Sequence, residues 1–433
     1  MAFPRDVPRS VSVSAVPDSS GSAAPVPWYR SRLFIASMLA LLTFIGVVGT
    51  MARERSQTQA QVTELAAPES PAGLVLATQG EKTSLASVGR TQGLAQPCTA
   101  WLLGTGAPAT APAVAVTAGR CVGAEPYEVL SGVALHGATV DFHAFAPVSS
   151  AGDPGLVTAK ATTVLWASTR WSDLALLQLD STYGELDAAG IKPVAPVATP
   201  AQGTKVLAAS VSVTGIPVDQ QYTRATTCAV GANVGTLAGP TLLTDQRATD
   251  CHGLLGGSEG APVFNPAGAA VAMVTGSTVA AQDAASCGPT TPCEVAAGKV
   301  ATRANTTYVQ PVAGLLECWD AGRLKLGGSC PLEDPGTVTP AEADAAAGAP
   351  GSTVTLALAP RVESPRRIAS VTGTVGATDC RAAAGWSDPV AAEDWKLTLT
   401  LPEQGWGLAC AGSPEQPTPV VVAVTGAQAA AAS

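Results

Sequence analysis

Beyond residue 72 the chain runs in short apolar stretches broken by glycine and proline. Gly73 to Ala77, Thr99 to Leu103, Ala113 to Thr117, Ala161 to Trp166, Leu174 to Leu179, Val206 to Val213 and Gly268 to Thr275 are such stretches. A core-facing helix needs apolar residues at every third or fourth position over ten or more residues. These runs are too short for that and suit half-buried or buried strands. The 44 glycines and 34 prolines supply the turns between them. Many short strands at this spacing predict an all-β barrel or sandwich.

With 433 residues the chain can hold two or three such domains. The net charge of -9 leaves no basic footprint, which excludes a nucleic-acid partner for the chain as a whole. Ten cysteines all lie beyond residue 97. Their even number, together with a membrane segment, points to an oxidising compartment. Nearest-neighbour pairing joins Cys228 with Cys251, Cys287 with Cys293 and Cys318 with Cys330, although spacing alone leaves other connectivities open. Cys380 and Cys410 are placed to staple two sheets.

Residues 1–32 are rich in Ser, Pro and Ala and read as a disordered tail. Arg5, Arg9, Arg30 and Arg32 outnumber Asp6 and Asp18. Leu33 to Met51 follows without a single charge. At about 1.5 Å per residue a helix of this length nearly spans a ~30 Å hydrocarbon core. A buried helix does not explain the flanking arginines. A cleaved signal peptide is the competing reading, but its basic region does not follow a long tail. The expectation is therefore a single transmembrane helix at 33–51, with a cytoplasmic tail at 1–32 and the bulk of the chain extracytoplasmic. Residues 52–72 read as a polar stalk.

Residues 331–351 form a second linker of Pro, Ala, Glu, Asp and Gly. From 352 to 427 the alternation is cleaner. Val354, Leu356 and Leu358 alternate with small or polar residues, as do Trp395, Leu397, Leu399 and Leu401, while Val420 to Val424 reads as a buried strand. A small β-sandwich is predicted there. No internal repeat is visible in the sequence.

Three stretches carry a family resemblance. Gly256-Gly257-Ser258-Glu259-Gly260-Ala261-Pro262 resembles the Gly-Asp-Ser-Gly-Gly-Pro loop of the trypsin-like (chymotrypsin-fold) serine proteases. Val114 to Cys121 is similar to that family's strand followed by Thr-Ala-Ala-His-Cys, and Ser172 to Leu179 to its Asp-Ile-Ala-Leu-Leu strand. They occur in the family's order. The resemblance covers residues 73–330 and implies two packed barrels. The overall expectation is thus a mainly β chain: a trypsin-like double β-barrel, then a small C-terminal β-sandwich, with one N-terminal transmembrane helix. The resemblance also implies a disulfide between Cys98 and Cys121, and a short C-terminal helix over Val309 to Trp319.

Carried over residue by residue, Asp173 stands where the triad aspartate belongs, Arg120 where the histidine belongs, and Glu259 where the serine belongs. The resemblance makes the N–H groups of Gly257 and Glu259 the oxyanion-loop donors. Arginine keeps its proton at any working pH and cannot act as the base. Glutamate has no hydroxyl to acylate. Without nucleophile and base, at best about 10³–10⁴ over water remains from binding and an oxyanion hole. No catalytic residue set is intact, so the expectation is a catalytically degenerate, bacterial-type member that binds a protein or peptide and needs no cofactor.

Alternatives stay open. Ser258 beside the lost serine position would serve after a one-residue slip, making the chain an active serine endopeptidase, but a base is missing. His252 and Ser258 are candidate pocket residues. His136, His143 and Asp141 are a weakly spaced zinc candidate, read as no metal site. A structural envelope protein is a third class. Arg120 between Asp173 and Glu259 is expected to donate to both carboxylates. The arginine bias around Leu33 to Met51 makes a topology prediction: protease added to intact cells should remove everything after Arg55 and spare the tail. Protection of the cysteine-rich part would contradict it.

Overall fold

Six strands close the first barrel: β1 Val88–Gln92, β2 Thr99–Leu102, β3 Pro112–Thr117, β4 Val129–Phe142, β5 Val157–Ser168 and β6 Leu174–Thr182. Their order around the barrel is β1-β2-β3-β6-β5-β4, antiparallel throughout. The computed structural model describes residues 72–424 apart from short stretches, the longest being 147–154, 279–286, 341–347 and 361–366. The expected membrane segment, Leu33 to Met51, lies outside the described residues. No helix among the described residues is long and apolar enough to cross a membrane.

A second barrel is built from β7 Lys205–Ser210, β8 Arg224–Ala238, β9 Thr241–Thr249, β10 Pro262–Phe264, β11 Ala270–Ser277 and β12 Thr307–Pro311. It closes in the order β7-β8-β9-β12-β11-β10. Both barrels therefore follow one path, first-second-third-sixth-fifth-fourth. The chain does contain a repeat, but of topology and not of sequence. Barrel closure demands only alternation and turns at the right places, and many sequences meet that demand.

The strands read most easily from sequence are those buried on both faces. On β2 and β3, Ala100, Leu102, Ala113 and Ala115 fill the first barrel. The alternate residues Trp101, Val114 and Val116 pack against Ala209, Val211, Phe264 and Met273 of the second. A strand covered on both sides becomes a continuous apolar run. β4 and β8 gave weaker signals. Ser131 to Ala134 of β4 are exposed, and Gly132 and Gly137 interrupt its pattern. The C-terminal helix expected over Val309 to Trp319 is not formed. Val309 belongs to β12, and only a single short 3-10 segment, Ala313–Cys318, follows it.

Beyond the barrels, β13 Val338–Pro340, β14 Thr353–Pro360 and β17 Lys396–Thr400 form one sheet. β15 Arg367–Thr374, β16 Val390–Ala391, β18 Trp406–Gly412 and β19 Pro417–Ala423 form the other, in the order β16-β15-β18-β19. Leu356, Leu397 and Leu399 of the first sheet meet Ala409, Val420 and Val422 of the second. The opposite face of the second sheet is covered too. Leu408, Cys410 and Val421 pack with Tyr127, Trp171, Leu237 and Leu242 of the barrels. Double coverage explains why Val420 to Val424 is apolar without a break.

All five expected disulfides are formed: Cys98–Cys121, Cys228–Cys251, Cys287–Cys293, Cys318–Cys330 and Cys380–Cys410. The last does not staple two sheets. It ties the turn after β15 to β18, the neighbouring strand of the same sheet.

Polar contacts fasten the C-terminal part to the end of β5 and to the turn between β5 and β6. Trp166 donates its indole N–H to the Glu333 carbonyl at 2.7 Å. Arg170 pairs with the Glu333 carboxylate and donates to Thr418 Oγ1 at 3.1 Å. Burial pushes the Glu333 carboxyl above its ordinary range, and Arg170 pulls it part of the way back. A chain ending at Glu333 keeps that ion pair but uncovers Tyr127, Trp171, Leu237 and Leu242. Fully burying a large apolar side chain is worth about 1.5–3 kcal/mol, so partial exposure of four should cost at least about 3 kcal/mol. The truncated chain should melt several degrees lower and bind a hydrophobic dye; an unchanged melting curve without dye binding would refute the shared core.

Candidate functional site

Arg120 sits in the 3-10 turn Gly119–Val122 that leaves β3, and Cys98–Cys121 holds that turn to the start of β2. Asp173 directly precedes β6 and is completely buried. The two turns touch. A Cβ on Gly119 would lie 2.1 Å from the Ser168 carbonyl oxygen, so only glycine permits this approach. The closeness places the Arg120 backbone N–H 2.9 Å from Asp173 Oδ1 and its side-chain Nε 2.6 Å from Oδ2. One residue thus supplies a donor to each carboxylate oxygen, in charge-assisted geometry. The Asp173 N–H in turn donates to Gln310 Oε1 on β12 at 2.9 Å, which links the pair to the second barrel.

Glu259 belongs to the loop before β10, and that loop is bolted to β2. Thr99 donates its backbone N–H to the Glu259 carbonyl at 3.0 Å and its hydroxyl to the Gly257 carbonyl at 2.8 Å. Gly260 has a φ of +85°, and a Cβ there would stand 2.2 Å from the Thr99 carbonyl oxygen. Both the left-handed backbone and the contact require glycine. Thr99 and these two glycines therefore bring Glu259 of the second barrel to the Arg120–Asp173 pair of the first.

The electrostatics of Arg120 follow from this proximity. Burial alone would lower the Arg120 pKa, but Asp173 and then Glu259 more than offset it, and the guanidinium is held above its ordinary value. The two carboxylates are not equivalent. Asp173 takes the Nε hydrogen bond and the salt bridge. Glu259 acts on the guanidinium through its charge, while its own Oε2 accepts the backbone N–H of Gly257 at 3.0 Å. Gly257 N–H is one of the two oxyanion-loop donors that the family resemblance implies. In the structure that donor is taken by the Glu259 carboxylate.

The remaining candidates are dispersed. Ser258 is buried, whereas His252 is exposed on the turn after Cys251. Neither lines any of the cavities formed by the described residues and discussed below. His136 is exposed on β4, and His143 is buried and stacked on Phe145 with ring centroids 5.7 Å apart. The Asp141 carboxylate accepts from Arg90 Nε at 3.1 Å, Gln92 Nε2 at 2.6 Å and Thr158 Oγ1 at 2.8 Å, a structural role. Among the described residues, no three His, Cys, Asp or Glu side chains gather as a metal site. Sequence reasoning missed Gln310 and Thr99, which act through contacts more than one hundred residues away. Gly119 was legible in principle, as the residue where the resembling motif has alanine.

No protein-family description matches the chain, and no curated protein does. Solved structures with similar arrangements include a thermostable serine protease, AL20, from an extremophilic microorganism, at 14% identity, 52% of this chain, 91% of that one and a TM-score of 0.33. Protease Anisep from Arthrobacter nicotinovorans is 16% identical over 52% of this chain and 90% of its own, at a TM-score of 0.32. The inactivated protease paralogue S-I1 of the scabies mite is 16% identical over 45% and 85%, at 0.33. The duplicated barrel path described above stands independently of these similarities.

The buried pair makes a quantitative prediction. Arg120→Ala leaves Asp173 as a buried charge without its cation and should cost about 3–5 kcal/mol in urea unfolding. Asp173→Asn in the same background should recover much of that loss, giving a coupling energy of about 2 kcal/mol or more. The coupling of Arg120 with Glu259→Gln should be smaller, about 0.5–1 kcal/mol, because it acts through charge with the carboxylate seated on Gly257. Strict additivity for Arg120 and Asp173 would overturn the pair's importance.

Proposed function

We propose that the chain is a trypsin-fold pseudo-protease, anchored in the membrane by Leu33 to Met51, whose extracytoplasmic part binds a protein or peptide. The observation that carries this reading is the seat of Glu259. At the position where the resemblance places a nucleophile, a carboxylate accepts the Gly257 N–H. Across the seam Arg120 occupies Asp173 with a proton it does not release. A serine protease needs a hydroxyl, a neutral base to take its proton and free donors for the oxyanion. The hydroxyl and the base are replaced, and one donor is occupied. The neighbouring Ser258 is buried. What remains is a rigid double barrel with loops at the seam, suited to binding.

A fluorophosphonate probe tests the reading. The full-length chain should remain unlabelled, and labelling of any serine, Ser258 above all, would overturn it. The double variant Arg120→His with Glu259→Ser restores a hydroxyl, a base and a free Gly257 N–H beside Asp173. It should gain probe labelling at position 259, which serves as the positive control on the same fold.

A further inference from the structure

The turn between β5 and β6 carries a second constellation, centred on Trp171. Trp171 follows Arg170 and has a φ of +64°. Its carbonyl accepts the Thr244 N–H at 3.0 Å, and it bridges to Leu243 beside Asp245, whose φ is +56°. Left-handed backbone is unfavourable for an aromatic residue and persists only where the surroundings impose it. Here it aims an indole face and a carboxylate at one point. That point holds the guanidinium of Arg381 from the turn after β15. Its central carbon is 5.4 Å from the Trp171 ring centroid, and one terminal nitrogen is 3.8 Å from Asp245 Oδ2.

Arg381 is held lightly. Its side chain is 51% exposed and that of Asp245 69%, and an ion pair that long and that exposed contributes little. Its backbone is fixed by the neighbouring Cys380–Cys410 disulfide and by donation of its N–H to Asp379 Oδ1 at 2.9 Å. The side chain can therefore swing away without moving the turn. Beside it lies a cavity of about 340 Å³ between the second barrel and the C-terminal sheet. Trp171, Asn233, Leu242, Asp245, Asp379 and Arg381 are among its walls. Among its lining residues two acids face one cation, so the site without Arg381 is acidic and aromatic.

We propose that the Trp171–Asp245 face of this cavity is a receptor for an arginine side chain presented by a partner protein, and that Arg381 covers that face in cis. An aromatic face with an adjacent carboxylate suits a planar guanidinium, which stacks and forks at once. A free amino acid fits less well, because its α-carboxylate would meet Asp379 or Asp245. The site is separate from Glu259, and the assignment holds whether or not that site turns over.

Isothermal titration of the full-length chain with N-acetyl-L-arginine amide tests it. Arg381→Ala should bind this probe at least about tenfold more tightly than the unaltered chain. Adding Asp245→Asn should remove the gain, and the citrulline counterpart of the probe should not bind. Arg381→Gln, which keeps the side chain's length, should behave as Arg381→Ala and covers a folding defect in the shorter variant. Equal affinity of the Arg381 variants and the unaltered chain would overturn the proposal, as would binding of the citrulline probe. Equal binding of free L-arginine would overturn its assignment to a protein-borne side chain.

Discussion

The seam between the barrels depends on one buried carboxylate. Asp173 has no exposed surface, and a charge placed there must be matched in place or the fold does not hold it. In this chain Arg120 matches it with two donors, backbone N–H and Nε, from one turn. That arrangement needs the turn to lie against the Ser168 carbonyl, which needs Gly119. It also needs Gln310 to receive the Asp173 N–H from the other barrel. Charge, turn and inter-barrel contact are thus a single requirement. Within it Arg120 is a structural residue, because a guanidinium that satisfies a buried carboxylate is not available to exchange protons.

The turn from Ser168 to Asp173 is shared by two structural partners. Asp173 faces the seam. Arg170 and Trp171, two or three residues earlier, face the C-terminal sheet through Glu333, Thr418 and Arg381. The same sheet covers Tyr127, Leu237 and Leu242. The contacts to the sheet and the contact to the seam are thus made from one turn only a few residues long that ends at Asp173.

What the sequence made legible follows from burial. β2, β3 and β6 were visible because both of their faces are covered, and Val420 to Val424 for the same reason. β4 and β8 were obscured because long strands that leave the barrel core carry exposed stretches and glycines. The shared barrel path left no trace in sequence. That Arg120, Asp173 and Glu259 lie near one another was expected from motif order alone. The seat of Glu259 was not: both carboxylates were expected to take hydrogen bonds from Arg120. The backbone N–H of Gly257, two residues away on a loop with a φ of +91°, was the nearer donor. Local backbone donors are invisible to motif reading, yet they compete with distant side chains for a carboxylate.

The presence of Arg120 and Glu259 at the positions where the resembling motifs carry histidine and serine can be weighed by following charge. A working triad with a neutral base carries one negative charge, on its aspartate. Arg120 with Asp173 cancels to zero, and Glu259 returns the sum to minus one. An arginine in the histidine position beside an unaltered serine would leave a neutral pair and a hydroxyl with no base. A glutamate opposite a histidine would set two carboxylates near one another across an imidazole, with only a weak cation between them. Either residue alone in such a frame would leave an electrostatic or chemical misfit. Together they give a permanently charged arginine that faces two carboxylates, one bound by side chain and backbone, the other parked on a backbone N–H and felt through its field. Both Asp173 carboxylate oxygens and Glu259 Oε2 accept hydrogen bonds from within the protein, which holds the three charges in place.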